Sequence, residues 1–273
     1  MSGLTHVSSA FQSTQAAGRA ALMPYFTLGF PNPQASLEII EAVAHSGADL
    51  IELGIPFSDP LADGPTIQHS TQVALHQGIT VAGCLELTAE LRSRGVAMPL
   101  ILMGYVNPIL AFGIERFVAE AADAGADGFI VPDLPLEEAK GMQAACAEHQ
   151  RALIFMLAPT STPERMTAVI EQSAGFLYLV SLIGVTGARS DLPSGLEAFV
   201  QRVRDQSSIP LAVGFGVSTP AQARAVGSFS DGVIIGSALI NAVEGAEDLP
   251  QAAARFVGDL RTALESSRSE DGR

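Results

Sequence analysis

Short apolar runs rich in β-branched residues recur along this chain, and an amphipathic stretch follows nearly every one. The runs fall at 22–28 (LMPYFTL), 49–54 (DLIELG), 99–104 (PLILMG), 127–131 (DGFIV), 152–157 (ALIFML), 176–181 (FLYLVS), 210–214 (PLAVG) and 231–235 (DGVII). Runs of this length between turn residues read as buried strands. The segments 34–46, 67–94, 114–124, 136–149, 163–173, 194–206, 219–227 and 249–266 carry helical patterning, and 3–18 reads as a leading helix. Thr162-Pro163 and Thr219-Pro220 set a capping hydroxyl before a proline at the first helical position. Gly47, Gly95 and Gly125 mark helix ends.

Three segments echo one another: HSGADLIELG at 45–54, DAGADGFIVPD at 123–133 and VGSFSDGVIIGS at 226–237. Each runs from a helix end through a glycine turn and an aspartate into a strand. Eight alternations of continuous apolar strands with helices predict an α/β fold, a (β/α)8 TIM barrel with an extra N-terminal helix. An open doubly wound sheet calls for a glycine-rich turn after the first strand, and here that strand runs into LGFPNP. No linker divides the chain, so one domain spanning 1–273 is expected, with 267–273 (SRSEDGR) as a disordered tail.

The charged side chain that falls inside one of these runs, and not at its head, is Glu52, in LIELG. Strand side chains alternate sides, so Leu50, Glu52 and Gly54 share one face, and Ile51 and Leu53 the other. If Ile51 and Leu53 pack on helices, Glu52 points inward, where an unpaired carboxylate is costly. A local rule broken inside a regular strand marks a candidate site.

Composition narrows the chemistry. The 273 residues are 48% apolar, with a net charge of −14. That balance argues against nucleic acid or an anionic membrane as partner. Cys84 and Cys146 read as free, buried thiols, and no apolar run reaches the ~18 residues of a membrane helix. With no leader of the secretory pattern at MSGLTHVSSAFQS, a cytoplasmic location is expected.

In a barrel the site is built from the loops after the strands. Those loops carry Glu52, Asp59 and Asp63; Tyr105 and Asn107; Asp133; the turn 184–187; Gly214 and Gly216; and Gly236-Ser237. The glycine turns after the last strands predict a phosphate site, since glycine lets backbone N–H groups approach an anion. Glu52 and Asp63 are the candidate acid/base pair; Asp59 and Asp133 read as loop braces. Lys140, the single lysine, falls in EEAKGM, read as mid-helix, so no imine chemistry is available to it. None of the five histidines ends a strand, and no metal-ligand spacing appears. What remains is carboxylate acid/base chemistry beside a phosphate.

The stretch IELGIPFSDPLADGPTIQ (51–68) resembles the signature of the tryptophan synthase α-subunit family. LMGYVNPIL (102–110), VPDLPLEE (131–138), LAPTS (157–161), SLIGVTGAR (181–189), GFGVS (214–218) and GSA (236–238) match further segments in the same order. The resemblance implies a barrel that cleaves indole-3-glycerol phosphate to indole and glyceraldehyde 3-phosphate. It implies no cofactor in this chain, and a β subunit with pyridoxal phosphate as partner in an α2β2 heterotetramer. It makes Glu52 the acid/base and Asp63 the group that stabilises charge at the indole nitrogen. Tyr25, Leu102, Tyr105 and Phe215 match pocket positions, with Tyr178 and Thr186 close by. Gly187, Gly216, Gly236 and Ser237 match phosphate-binding positions. The loops 55–63 and 184–196 match mobile loops that close over substrate and meet the partner. Three other readings stand beside it: another phosphate-handling barrel such as an isomerase, a non-catalytic activator, and a lyase that needs no partner.

Overall fold

The computed structural model describes residues 2–180, 194–214 and 216–265. Its strands are β1 (Ala21–Thr27), β2 (Ile51–Gly54), β3 (Leu100–Met103), β4 (Gly128–Ile130), β5 (Ala152–Ile154), β6 (Met156–Leu157), β7 (Leu177–Val180), β8 (Leu211–Gly214) and β9 (Gly232–Ile235). All pair in parallel, in the order β5-β4-β3-β2-β1-β9-β8-β7-β6. Only Phe155 separates β5 from β6, and its carbonyl accepts the Tyr178 N–H at 3.1 Å. The two ends of that order are thus one strand bent at a single residue. Counted that way, the sheet closes as the (β/α)8 barrel the pattern predicts, with the helix Gly3–Ala16 ahead of it.

The elements differ from expectation in places, and the helices Val106–Phe112 and Ser237–Val243 stand outside the expected segments. The helical stretch 67–94 is two helices, Pro65–His76 and Val81–Ser93. Gly78 between them takes φ +80°, a conformation that ends a helix. Thr80 then starts the next by accepting the Gly83 N–H at 3.1 Å. Lys140 opens the helix Lys140–Glu148 instead of sitting in its middle, because the short 3-10 turn Leu136–Glu138 precedes it. The turn 184–187, Phe215 and the segment 267–273 lie outside the described residues.

Register decides what faces the barrel axis. Tyr25 pairs with Glu52 and Thr27 with Gly54; Glu52 pairs with Ile101 and Gly54 with Met103. Laterally paired residues share a face, so these point inward together, while Phe26, Leu53 and Leu102 turn to the helices. Large interior side chains sit across from glycines. A Cβ on Gly54 would overlap the Tyr25 hydroxyl, one on Gly214 the Tyr178 hydroxyl, and one on Gly232 would press on the Met23 sulfur. The rings therefore reach across the barrel only because the neighbouring strand offers no side chain there.

The three echoed segments share one structural role at the opposite end. Asp49, Asp127 and Asp231 each stand just before a strand. Each carboxylate accepts a backbone N–H from the neighbouring strand: Leu22 at 2.9 Å, Leu100 at 2.9 Å and Leu211 at 2.8 Å. Each also pairs with an arginine, Arg19 at 2.6 Å, Arg92 at 2.5 Å and Arg204 at 2.8 Å. The leading helix closes this end: Phe11 packs on Phe176 with ring centroids 5.5 Å apart, and His6 reaches Asp127 at 3.0 Å.

Arg19 is buried and spends both terminal nitrogens on Asp49. Asp49→Ala leaves that cation unpaired out of water, and is expected to destabilise the fold by about 3–5 kcal/mol. Urea unfolding of the variant measures this; a loss below about 1 kcal/mol, the size of a surface pair, would show that the pair is solvated.

Candidate active site

Glu52 is delivered by the alternation of β2. Its neighbours Ile51 and Leu53 are fully buried on the helix side, and Glu52 itself is 0% exposed on the axis side. Neither carboxyl oxygen has a hydrogen-bond partner among the described residues. With no charge or donor to offset it, burial alone pushes the Glu52 pKa up to about 8. At neutral pH this side chain is mainly a carboxylic acid.

Asp63 arrives from the other direction, on the proline-punctuated loop after β2. That loop is tied into turns by Leu61 N–H to Asp59 O at 2.9 Å and Asp63 N–H to Pro60 O at 3.0 Å. Pro65 then begins the helix Pro65–His76, and the Gln68 amide donates back to the Asp63 carbonyl at 2.9 Å. Burial raises the Asp63 pKa to about 6, and a hydrogen bond from the Tyr105 hydroxyl opposes part of that rise. Tyr105 also accepts the Ala62 N–H at 3.0 Å and packs on Phe57, with centroids 5.4 Å apart. It braces the Asp63 loop. The two carboxyl groups, eleven residues apart in sequence, thus hold their protons at different pH.

Both face a cavity of about 390 Å³ at the C-terminal ends of the strands, shared with Tyr25, Tyr178, Gly216, Gly236 and Ser237. These are residues the sequence singles out, and the fold brings them to one place. Leu102 is not there: the register turns it to the helices opposite Leu53, and Met103 lines the cavity instead. Tyr105 acts on the cavity through Asp63 and does not line it. Thr186, Gly187 and Phe215 lie outside the described residues. Asp133 accepts the Val106 N–H at 2.9 Å and so orders its loop. Asp59 stays in the loop's outer turn, bonded to Ser58.

The cavity also has walls that strand ends could not reveal. Asn241 and Phe256 come from the helices Ser237–Val243 and Leu249–Glu265. Asn241 follows Ser237 by four residues, one helical turn, which is the signal that could have found it. Toward the phosphate-binding candidates, Gly216 takes φ +86° and Gly236-Ser237 start a helix whose first N–H groups have no partner within it. A larger cleft of about 1060 Å³ opens at the other end of the barrel. Of its charged residues, Arg19, Arg204 and Asp231 are held in the ion pairs there, and Glu197 lines it as well. Among the described residues, no three His, Cys, Asp or Glu side chains group closely enough to hold a metal ion. Nor is any helix long and apolar enough to cross a membrane.

Known proteins are similar to this chain along nearly their whole length. The family model described as tryptophan synthase alpha chain matches residues 11–267. A protein of Chloroflexus aurantiacus with that name is 51% identical over 263 residues, covering 96% of this chain and 99% of its own. One from a Roseiflexus species is 49% identical over 260 residues, covering 94% and 100%. Among solved structures, Mycobacterium tuberculosis tryptophan synthase superposes with a TM-score of 0.88 at 40% identity, covering 95% of this chain and 98% of that one. The Legionella pneumophila tryptophan synthase alpha chain gives 0.89 at 36% identity, covering 97% and 98%.

The Glu52 environment makes stability depend on pH. In the unfolded chain this carboxyl ionises near the ordinary value of about 4.3, but in the fold only near 8. The folded value is the higher one, so the stability of the acid form is present below the ordinary carboxyl range and is lost as pH rises toward 8. Glu52→Gln cannot ionise. Its stability relative to the parent is expected to grow between about pH 5 and 8, by roughly 1–4 kcal/mol. Urea titrations at three pH values read this; a difference flat with pH would mean that the carboxyl is hydrated.

Proposed function

The chain belongs to the tryptophan synthase alpha chain family, and from that premise we propose how its own residues cleave indole-3-glycerol phosphate to indole and glyceraldehyde 3-phosphate in tryptophan biosynthesis. The observation that carries the proposal is the unpartnered Glu52 carboxyl, poised to hold a proton and aimed into a cavity it shares with Asp63.

Glu52 starts as the acid. It gives its proton to indole C3, which moves positive charge to the ring nitrogen. Asp63, ionised above about pH 6, stabilises that N–H cation. The ring is now the electron sink that an imine or metal would otherwise provide. The Glu52 carboxylate takes the proton from the hydroxyl on the adjoining carbon, the C–C bond breaks, its electrons return to the ring, and the aldehyde leaves. One proton goes out from Glu52 and one comes back, so the cycle closes with the acid restored. A group that must both give and take a proton works best with a pKa near the working pH. Separating two carboxyl pKa values by environment is how a site assigns them different roles. Gly216, Gly236 and Ser237, with Gly187, are the proposed phosphate ligands, and Tyr25, Tyr178, Thr186 and Phe215 the proposed pocket residues; Met103 takes the place expected of Leu102.

The partner we propose is a tryptophan synthase β subunit in an α2β2 assembly, which takes up the indole; pyridoxal phosphate belongs to that subunit. Leu61, 92% exposed, and Leu110, 54% exposed, support this reading, because they follow β2 and β3 on the same rim as the cavity. This chain uses only its own side chains for the cleavage.

The direct test is indole release from indole-3-glycerol phosphate by the purified chain, with and without a β subunit. Glu52→Gln is expected to lower kcat by at least about a hundredfold, the usual scale of acid/base catalysis, while still binding an indole-bearing alkyl phosphate. A variant that keeps its turnover would remove Glu52 from this role. Stimulation by the β subunit is expected to weaken in Leu61→Asp; a stand-alone lyase would show neither stimulation nor that loss.

The pH profile is a separate check. Free enzyme needs Glu52 protonated and Asp63 ionised, so kcat/KM is expected to fall above about 8 and below about 6. In Asp63→Asn the acid limb should disappear; its persistence would assign that limb to another group.

A further inference from the structure

Tyr25 carries a hydroxyl that the steps above do not use. The ring lines the cavity and is the register partner of Glu52 across β1 and β2. The hydroxyl sits where a side chain on residue 54 would be, and Gly54 makes that seat possible. It is also the outer end of a row of three buried hydroxyl groups. Tyr25 Oη lies 3.4 Å from Thr27 Oγ1, Thr27 Oγ1 lies 2.7 Å from Ser70 Oγ, and Ser70 Oγ donates to the Ile67 carbonyl at 2.9 Å.

Counting protons gives the row a direction. A hydroxyl has one proton and two lone pairs. Ser70 commits its proton to Ile67, so it must accept from Thr27. Thr27 has then committed its own, so it can only accept from Tyr25. The last contact is long, yet with the opposite polarity Thr27 and Ser70 would face each other at 2.7 Å with no proton between them. Tyr25 therefore points its proton along the row and leaves its lone pairs to the cavity. Burial, and then the nearby Asp63 carboxylate, keep the phenol neutral by raising its pKa well above the ordinary tyrosine value.

We propose that the Tyr25 phenol oxygen accepts a hydrogen bond from a glycerol hydroxyl of the substrate, with Thr27 and Ser70 as positioning residues that hold its own proton away. This rests on the lyase reading. The indole-3-glycerol chain carries two hydroxyls. Glu52 takes the proton of the one on the carbon that becomes the aldehyde, and the neighbouring hydroxyl is a donor still in want of an acceptor. A buried hydroxyl without a partner is penalised, so an acceptor placed there favours the hydroxylated chain over a bare one. A phenylalanine at position 25 would fill the same space without making that distinction.

The experiment compares Tyr25→Phe with the parent on two ligands: indole-3-glycerol phosphate, and indole-3-propyl phosphate, which has the same ring and phosphate but no hydroxyls. Tyr25→Phe is expected to lower kcat/KM for the first about three- to tenfold, the scale of one neutral hydrogen bond, and to leave the calorimetric Kd for the second unchanged. Thr27→Val should reproduce that selective loss, and Thr27→Ser, which keeps the acceptor, should restore the parent values. Equal weakening toward both ligands, or no change toward either, overturns the proposal while the parent's turnover stands. A parent chain that releases no indole, alone or with a β subunit, overturns the lyase reading and this proposal with it.

Discussion

A carboxyl group held out of water, with no hydrogen-bond partner among the described residues, sets the terms for the rest of this barrel. Glu52 is fully buried and its two oxygens are unpartnered. A polar group in that state opposes folding, and a protein would be more stable with an apolar residue there. The arrangement persists because the same desolvation that penalises the charge brings the pKa to about 8, where the group can give and take a proton near neutrality. On the proposed reading, stability at this end is given up for reactivity, and other parts of the structure supply the difference.

The other end of the barrel does the opposite. Asp49, Asp127 and Asp231 stand at equivalent points in the βα repeat, and each is satisfied twice, by a strand N–H and by an arginine. The leading helix then covers that end with apolar contacts. Carboxylates therefore serve both ends of one barrel with opposite electrostatics. Where donors surround them they hold neighbouring strands together; where donors are missing they hold protons. This division between a stabilising face and a reactive face follows from strand direction, since all the loops after the strands emerge on one side.

Between the two ends, the barrel interior is filled by unequal partners across the sheet. Tyr25 lies over Gly54, Tyr178 over Gly214 and Met23 over Gly232. A side chain at any of these glycines would collide with its larger neighbour. The glycines of LIELG and LAVG are thus not only turn residues but the room that the two tyrosine rings occupy, and the Tyr25 hydroxyl owes its place over residue 54 to one of them.

Much of this was legible in the sequence. The period-2 alternation in LIELG is enough to point Glu52 inward, because backbone geometry alone fixes which side of a strand each Cβ leaves. The run of apolar strands and helices gives the barrel, and the echoed Gly-to-Asp-to-strand segments are visible as a repeat, though the reason for the aspartates is not. Local patterning does not show that a single glycine, Gly78, divides one helical stretch into two. What only the tertiary structure decided is lateral. Register chose Met103 over Leu102 for the cavity. Packing brought Asn241 and Phe256 in from helices, and burial set two carboxyl groups at about 8 and about 6. Each of these depends on which strand or helix lies alongside and how completely it excludes water. A chain carries that information in the sum of its distant contacts, and no local stretch of residues spells it out.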